Sequence, residues 1–423
     1  MRTSTYLNAK RNFAARWLSS MAAIGCNAAL QFAGFILLAR SLGPLEFSAV
    51  IATGAAASIA AEFVGFGSGD LLVRAVSRDQ GAFARAFGHT VKLGVIAILP
   101  VSLAFLAVVG FFFGASHAPW TLFLLIVAEV LFLRSAATAE LAAIAHHRTY
   151  VANVYRVASA AFRLALIAAA CLIVGVDRAE SWAVWYAVGV VLFIAATWAH
   201  LVTRFGRPDF AGMPKSWSAG FLFSAMQVVR AAQFALDKFA VGVVASTATV
   251  GIYGTASRIA LFGGMPASAM TRITYPVFFE RGAAGIGEAL RYALKLAPAS
   301  LAVSLLSCAG LALISFLIEP MLGPSYADAQ AYLLMLALLP LASAAQNVAG
   351  DILTGADHQG HRVAAACLGL ALTGILTSLG AFHAGVAGAI AGYIAGHFLT
   401  ALCLAASVVR LRRFEKRVAD AKH

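Results

Sequence analysis

The chain consists of long apolar segments separated by short polar ones. About 20 consecutive apolar residues form a helix that crosses the hydrocarbon core of a bilayer. Measured against that length, the sequence predicts an all-α integral membrane protein with twelve transmembrane helices: Trp17–Ala39, Phe47–Phe66, Leu93–Phe113, Trp120–Glu140, Val151–Val176, Trp182–Val202, Ala219–Val244, Val250–Ala269, Ala297–Ile318, Ala331–Leu353, Val363–Ala384 and Val386–Val409. The first run is longer than a signal-peptide core and no small-residue cleavage site closes it, so we expect it to remain as the first span.

Composition supports this class and argues against several others. Hydrophobic residues make up 61% of the chain and its mean hydropathy is +0.85, well above the usage of soluble domains. All five cysteines fall within predicted spans, which favours small packing residues over disulfides or metal ligands. No P-loop motif and no convergent metal-ligand cluster occurs. We therefore predict no cofactor and no metal site.

The net charge of +13 follows the predicted topology. Most Lys and Arg residues lie in the two termini and in the even-numbered connections, whereas the opposite connections hold only Arg40 and Arg178. By the positive-inside rule both termini are predicted to be cytoplasmic. The basic residues are thus explained by membrane orientation and contact with phospholipid, and we predict no nucleic-acid partner.

A weak internal repeat appears at an offset of about 203 residues. Leu42–Gly54 aligns with Ala245–Ser257, and Lys92 aligns with Lys295. Because six predicted spans separate equivalent points, the two halves have the same orientation. A pseudo-twofold axis along the membrane normal follows, with a central cleft expected between the halves. The predicted domains are an N-terminal six-helix half (1–203), a cytoplasmic linker (204–218), a C-terminal six-helix half (219–410) and a basic cytoplasmic tail (411–423).

Three arginines within predicted spans are candidate ligands for a phosphate group, namely Arg163, Arg230 and Arg258. A charge near the bilayer centre costs about 2.5–3.5 kcal/mol on insertion scales, so it is expected to face a cavity or a partner. A guanidinium group can bind two phosphate oxygens at once. The alternative interpretation is that these charges form structural ion pairs.

Polar residues in the seventh span are spaced as one helical stripe. Arg230, Gln233 and Asp237 lie at i, i+3 and i+7, and Gln227 extends the stripe toward the cytoplasm. This pattern predicts a substrate-binding face. Asp237 could instead pair with the adjacent Lys238.

The first span carries a shorter polar stripe. Asn27 and Gln31 lie at i and i+4, and Asn27 aligns with Arg230 under the repeat. Both are therefore candidate substrate contacts, although small polar groups also hold membrane helices together.

Two pairs of segments resemble a known family. LLARSLGPLEFSAV (Leu37–Val50) and FVGFGSGDLLVRAVSRD (Phe63–Asp79), with their counterparts Leu236–Ala260 and Arg272–Glu280, resemble the O-antigen-type polysaccharide-transport flippases. That group belongs to the multidrug/oligosaccharidyl-lipid/polysaccharide exporter superfamily.

The resemblance implies an inner-membrane flippase for surface polysaccharide (O-antigen or exopolysaccharide) biosynthesis. Its expected substrate is an undecaprenyl-pyrophosphate-linked oligosaccharide, translocated by alternating access, and a polysaccharide polymerase is a candidate partner. The chain is then not an enzyme. Two alternatives stay open: a multidrug/cation exporter of the same superfamily, and a membrane enzyme of glycan assembly.

Overall fold

The computed structural model describes residues 2–113, 117–146, 148–210, 224 and 227–420, and this part of the chain is helical without strands. The helices are α1 (Arg2–Gly65), α2 (Ser68–Arg78), α3 (Phe83–Phe113), α4 (Pro119–Ala145), α5 (Thr149–Ala168), α6 (Ala179–Phe205), α7 (227–233), α8 (Leu236–Val244), α9 (Thr247–Gly263), α10 (Met265–Gly282), α11 (Ile286–Ser315), α12 (Ile318–Leu322), α13 (Ala329–Leu336), α14 (Leu339–Gly355) and α15 (Gln359–Asp420). A six-residue π-helix, Ala169–Val174, continues α5.

Eight helical segments among the described residues are long and apolar enough to cross a membrane. They are Ala22–Gly65, Gln80–Phe113, Pro119–Ala145, Thr149–Val174, Ala179–Phe205, Ile286–Ser315, Ala329–Gly355 and Gln359–Arg417. The prediction of an all-helical multi-pass membrane protein is therefore confirmed.

Two of these segments, in α1 and α15, are much longer than one crossing requires, and both are kinked. In α1 the break falls at Gly43, whose φ of 69° and ψ of 171° are not helical, and Pro44 follows it. In α15 it falls at Ala384 and Gly385, where Gly385 has a φ of 58°. Glycine adopts a positive φ without the steric cost that a Cβ would impose. The sequence predicted separate spans at both places, and the structure joins them through kinked backbone.

The chain divides into two compact units, Met1–Ala231 and Ala232–His423. The boundary falls within α7. Residues 211–218 of the predicted linker and residues 421–423 of the predicted tail lie outside the described residues. The predicted domain limits stay predictions.

In the first unit, α1 packs against α3, α4 and α5, and α4 packs against α6. The short helix α2 lies on α3 and α4 and buries Leu72 and Val76 against Phe87 and Leu201. This apolar cluster fixes the ends of α3, α4 and α6 and so sets how their polar residues meet.

In the second unit, α14 packs against α10, α11 and α15, and α8 packs against α15. The two arms of α15 approach so closely that a Cβ added at Gly388 would overlap the backbone of Gly380, and one added at Gly392 would overlap the backbone of Leu376. Small residues let membrane helices pack at backbone distance. These glycines therefore bring the two arms of α15 into direct contact.

Candidate functional site

In the first unit, a largely buried ion pair joins α4 to α5. Arg163 Nη2 donates to Glu129 Oε2 at 2.5 Å, and the hydroxyl of Tyr186 on α6 donates to the same oxygen at 2.5 Å. The side chains of Arg163 and Glu129 are 19% and 12% exposed. The Arg163 guanidinium carbon also lies 5.1 Å from the ring centroid of Phe132 and 5.3 Å from that of Tyr186. Two aromatic faces and one carboxylate thus fix its position.

A second ion pair lies on the same two helices. Arg156 on α5 bonds to both carboxylate oxygens of Glu140 on α4, with its Nε 3.1 Å from Oε2. This fork geometry gives the pair directional strength beyond simple charge attraction. Together the two ion pairs connect α4 and α5 at two positions along their length.

In the second unit, one buried ion pair is formed by neighbours in sequence. Asp237 is fully buried and Lys238 is 8% exposed, and Lys238 Nζ lies 3.0 and 3.1 Å from the two Asp237 carboxylate oxygens. The hydroxyls of Tyr253 and Ser257 on α9 donate to Asp237 Oδ2 at 2.6 and 2.8 Å. The pairing considered from the sequence is therefore the observed arrangement.

A chain of polar side chains continues from this pair toward α14 and α15. Gln233 Nε2 donates to Gln346 Oε1 at 3.4 Å, and Gln346 Nε2 lies 2.8 Å from the carbonyl oxygen of His397. Tyr393 donates to the carbonyl of Gln233 at 3.2 Å. His397 is 1% exposed, and its Nε2 has no hydrogen-bond partner among the described residues.

Arg230 differs from the other candidate arginines because it is exposed on α7. No acidic side chain among the described residues forms an ion pair with it. If α7 lies within the membrane, as the sequence predicts, a guanidinium there is costly against lipid and is expected to face water, a headgroup or a ligand.

The predicted stripe of the seventh span is interrupted. Residues 234 and 235 form a turn between α7 and α8. The N–H of Ala235 bonds to the carbonyl of Ala232, and the N–H of Lys238 bonds to that of Ala235, so both bonds span three residues. The turn separates Arg230, which is exposed, from Asp237, which is buried, and the substrate-binding role of this stripe stays a prediction.

The remaining predicted residues lie on α1, α7 and α9. Asn27 and Gln31 bond to each other at 3.2 Å on α1. Gln227 is exposed on α7 and Arg258 is partly buried on α9. Their roles as substrate contacts stay predictions.

The sequence patterns do not predict the residues that bond to the paired charges and to Gln233. These residues are Tyr186, Tyr253, Ser257, Gln346 and His397. Tyr253 and Ser257 are one helical turn apart on α9, a spacing that marks a shared face. Among the described residues no group of three or more His, Cys, Asp or Glu side chains could hold a metal ion.

Comparison with known proteins identifies the family and the fold. The sequence model of a family described as polysaccharide biosynthesis protein matches residues 13–281. No curated protein shows significant sequence similarity to the chain.

Several solved structures share the fold over nearly the whole chain. A multidrug resistance MATE family transporter of the MOP superfamily in an inward-facing conformation has a TM-score of 0.75 at 14% identity, covering 94% of this chain and 99% of that one. The MATE multidrug transporter DinF-BH has a TM-score of 0.65 at 13% identity, covering 94% and 95%. An outward-facing MATE transporter of the same superfamily has a TM-score of 0.62 at 15% identity, covering 95% of both chains.

The family match covers more than half of the chain, and the structural matches show its fold. The chain therefore belongs to the polysaccharide biosynthesis protein family, and it shares the fold of the MATE family transporters.

Proposed function

We propose that this protein is a flippase that translocates an undecaprenyl-pyrophosphate-linked oligosaccharide across the inner membrane for surface polysaccharide synthesis. The substrate changes sides without covalent change, and its site opens alternately to the two faces of the membrane. Family membership supports a role in polysaccharide biosynthesis, and the transporter fold supports translocation over catalysis.

The observation that carries the proposal is the contrast between Arg230 and the paired charges. Arg163 and Lys238 are held by Glu129 and Asp237 within their own units, whereas Arg230 is exposed and has no acidic partner among the described residues. A guanidinium of this kind within a membrane helix suits a pyrophosphate, which offers several oxygens to its fork of donors. Arg230 is therefore the proposed phosphate ligand.

We further propose twelve spans in two equivalent halves, with both termini cytoplasmic. The kinks in α1 and α15 would each divide a long segment into two crossings, and α7–α8 and α9 would supply two more. Helices α3 and α11 begin 203 residues apart, at Phe83 and Ile286. The positive-φ residues Gly175 and Gly385 are 210 residues apart. The distance in sequence between equivalent positions of the two halves is therefore seven residues longer here than at the starts of α3 and α11.

A second candidate function is multidrug or cation export. The solved structures that share this fold include multidrug transporters. Cationic drugs favour an acidic binding site. The exposed basic residue Arg230 favours the anionic lipid, and transport assays separate the two functions.

The direct test uses the purified full chain in liposomes. A fluorescent polyprenyl-pyrophosphate disaccharide is placed in both leaflets, and dithionite quenching reports its movement between them. We expect movement above that of empty liposomes. Ethidium efflux from the same vesicles, in the absence of lipid movement, would instead support the drug exporter.

The residue test replaces Arg230 and follows both transport and abundance. Arg230→Ala is expected to lower lipid movement at least tenfold at normal membrane abundance, because an exposed side chain contributes little to stability. Arg230→Lys should recover only part of the activity, since an ammonium lacks the bidentate fork. Arg412→Ala, an exposed basic residue near the end of α15, is the control. Normal transport by Arg230→Ala would contradict the assignment.

A further inference from the structure

The ammonium group of Lys238 sits among four oxygen atoms inside the second unit. Its Nζ lies 2.8 Å from Ser257 Oγ, 3.0 Å from the carbonyl oxygen of Phe234, and 3.0 and 3.1 Å from the two oxygens of Asp237. These are charge-assisted hydrogen-bond distances. We call the oxygens of Phe234, Asp237 and Ser257 the oxygen cage.

The turn between α7 and α8 makes room for this cage. Where the chain turns at residues 234 and 235, the backbone N–H of Lys238 bonds to the carbonyl of Ala235. The Lys238 side chain reaches back to the carbonyl of Phe234. Backbone carbonyls at a helix break need a partner when water is absent. The ammonium therefore occupies the place where an interrupted helix presents oxygen atoms.

The surroundings of the cage hold the carboxylate of Asp237 in one orientation. Tyr253 and Ser257 both donate to its Oδ2. The ring of Tyr393 and the imidazole of His397 on α15 are buried in the same unit, and Arg258 follows Ser257 on α9. The formal charges of Asp237 and Lys238 sum to zero. The cage thus has the ligands of a cation site and already contains a cation.

We propose that the oxygen cage is a monovalent-cation site that is permanently filled by the ammonium of Lys238. Carboxylate, carbonyl and hydroxyl oxygens are the ligands that hard cations prefer, and a single carboxylate balances a single positive charge. A tethered ammonium is held next to the site and does not exchange with dissolved ions. The oxygen cage therefore takes no free sodium ion, and removing the amine opens a sodium site within it. This inference is independent of which substrate the protein carries.

Thermal unfolding of the purified full chain tests the proposal in sodium chloride and in choline chloride at equal ionic strength. Choline is too large for the cage and controls for general salt effects. The wild type is expected to unfold at the same temperature in both salts. Lys238→Ala is expected to unfold at a lower temperature in choline and to regain several degrees in sodium, because an ion that binds only the folded state stabilises it by mass action.

Two further variants keep the test decisive. Asp237→Asn/Lys238→Ala removes the carboxylate as well and should lose the sodium response. Lys238→Met keeps the apolar stem without the ammonium and should respond as Lys238→Ala does. The absence of a sodium response in both single variants of Lys238 would overturn the proposal. The proposal would also be overturned if sodium stabilised the wild type and this stabilisation were lost in Asp237→Asn.

Discussion

Two ion pairs, one in each unit, are built in different ways. In the first unit the partners are Glu129 and Arg163, which lie on different helices and 34 residues apart. In the second unit they are Asp237 and Lys238, which are consecutive residues of one helix. The first pair holds two helices together, whereas the second lies within α8.

The difference shows how far each pair contributes to contacts between helices. In the first unit Glu129 also accepts a bond from Tyr186, so one carboxylate links three helices. In the second unit the hydroxyls of Tyr253 and Ser257 on α9 donate to Asp237, whereas the arms of α15 meet through backbone at Gly388 and Gly392. Substitutions at the two pairs should therefore differ in the stability lost and in how much of it a second substitution restores.

The largest effect is expected for Asp237→Ala. Its carboxylate is fully buried, so its loss leaves the ammonium of Lys238 without a counter-charge. Removing one partner of a buried pair costs about 3–5 kcal/mol. Membrane abundance and the unfolding temperature should both fall sharply, and Asp237→Ala/Lys238→Ala should recover most of the loss. A double variant as unstable as the single one would contradict a self-contained pair.

Glu129→Ala is expected to have a smaller effect, about 1.5–3 kcal/mol, the range for hydrogen bonds to charged groups. The pair is partly exposed, and the aromatic rings of Phe132 and Tyr186 still support the guanidinium of Arg163. Here Glu129→Ala/Arg163→Ala should recover little, because both variants lose the connection between α4 and α5. If Glu129→Ala/Arg163→Ala regained the full stability of the wild type, the two ion pairs would not differ in the way described.

A glycine substitution examines the backbone contacts of the second unit. Gly392→Ala places a Cβ against the carbonyl of Leu376 and should cost about 1–3 kcal/mol through overpacking. Gly310→Ala on α11 is the matched control, because no atom lies within 4 Å of its added Cβ and alanine favours a helix. A tolerated Gly392→Ala would show that the arms of α15 can separate at little cost.

The smallest effect is expected at the start of α11. Both carboxylate oxygens of Glu415 accept from the backbone N–H of Ile286, at 3.3 and 3.2 Å. A carboxylate at a helix N-terminus contributes about 0.5–1 kcal/mol when partly exposed. Glu415→Gln should lower the unfolding temperature slightly, and high salt should reduce the difference in unfolding temperature between this variant and the wild type. An unchanged unfolding temperature at low salt would show that this contact contributes nothing.

The apolar lengths in the sequence were enough to predict a helical multi-pass membrane protein, and the motifs were enough to predict its family. The partners of buried charges were not predictable, because Glu129 and Tyr186 reach Arg163 from 34 and 23 positions away through tertiary packing. The turn at residues 234 and 235 carries neither glycine nor proline, so the sequence offered no local signal for it. The glycines at 388, 392 and 396 were a readable signal, since a spacing of four places them on one helix face.

The close contact between the two arms of α15 bears on how the protein enters the membrane. Arms that meet through backbone at Gly380, Gly388 and Gly392 leave little polar surface to shield while they assemble. We expect the two arms of α15 to enter the bilayer together as a preformed hairpin, because each arm already covers a face of the other through backbone contact.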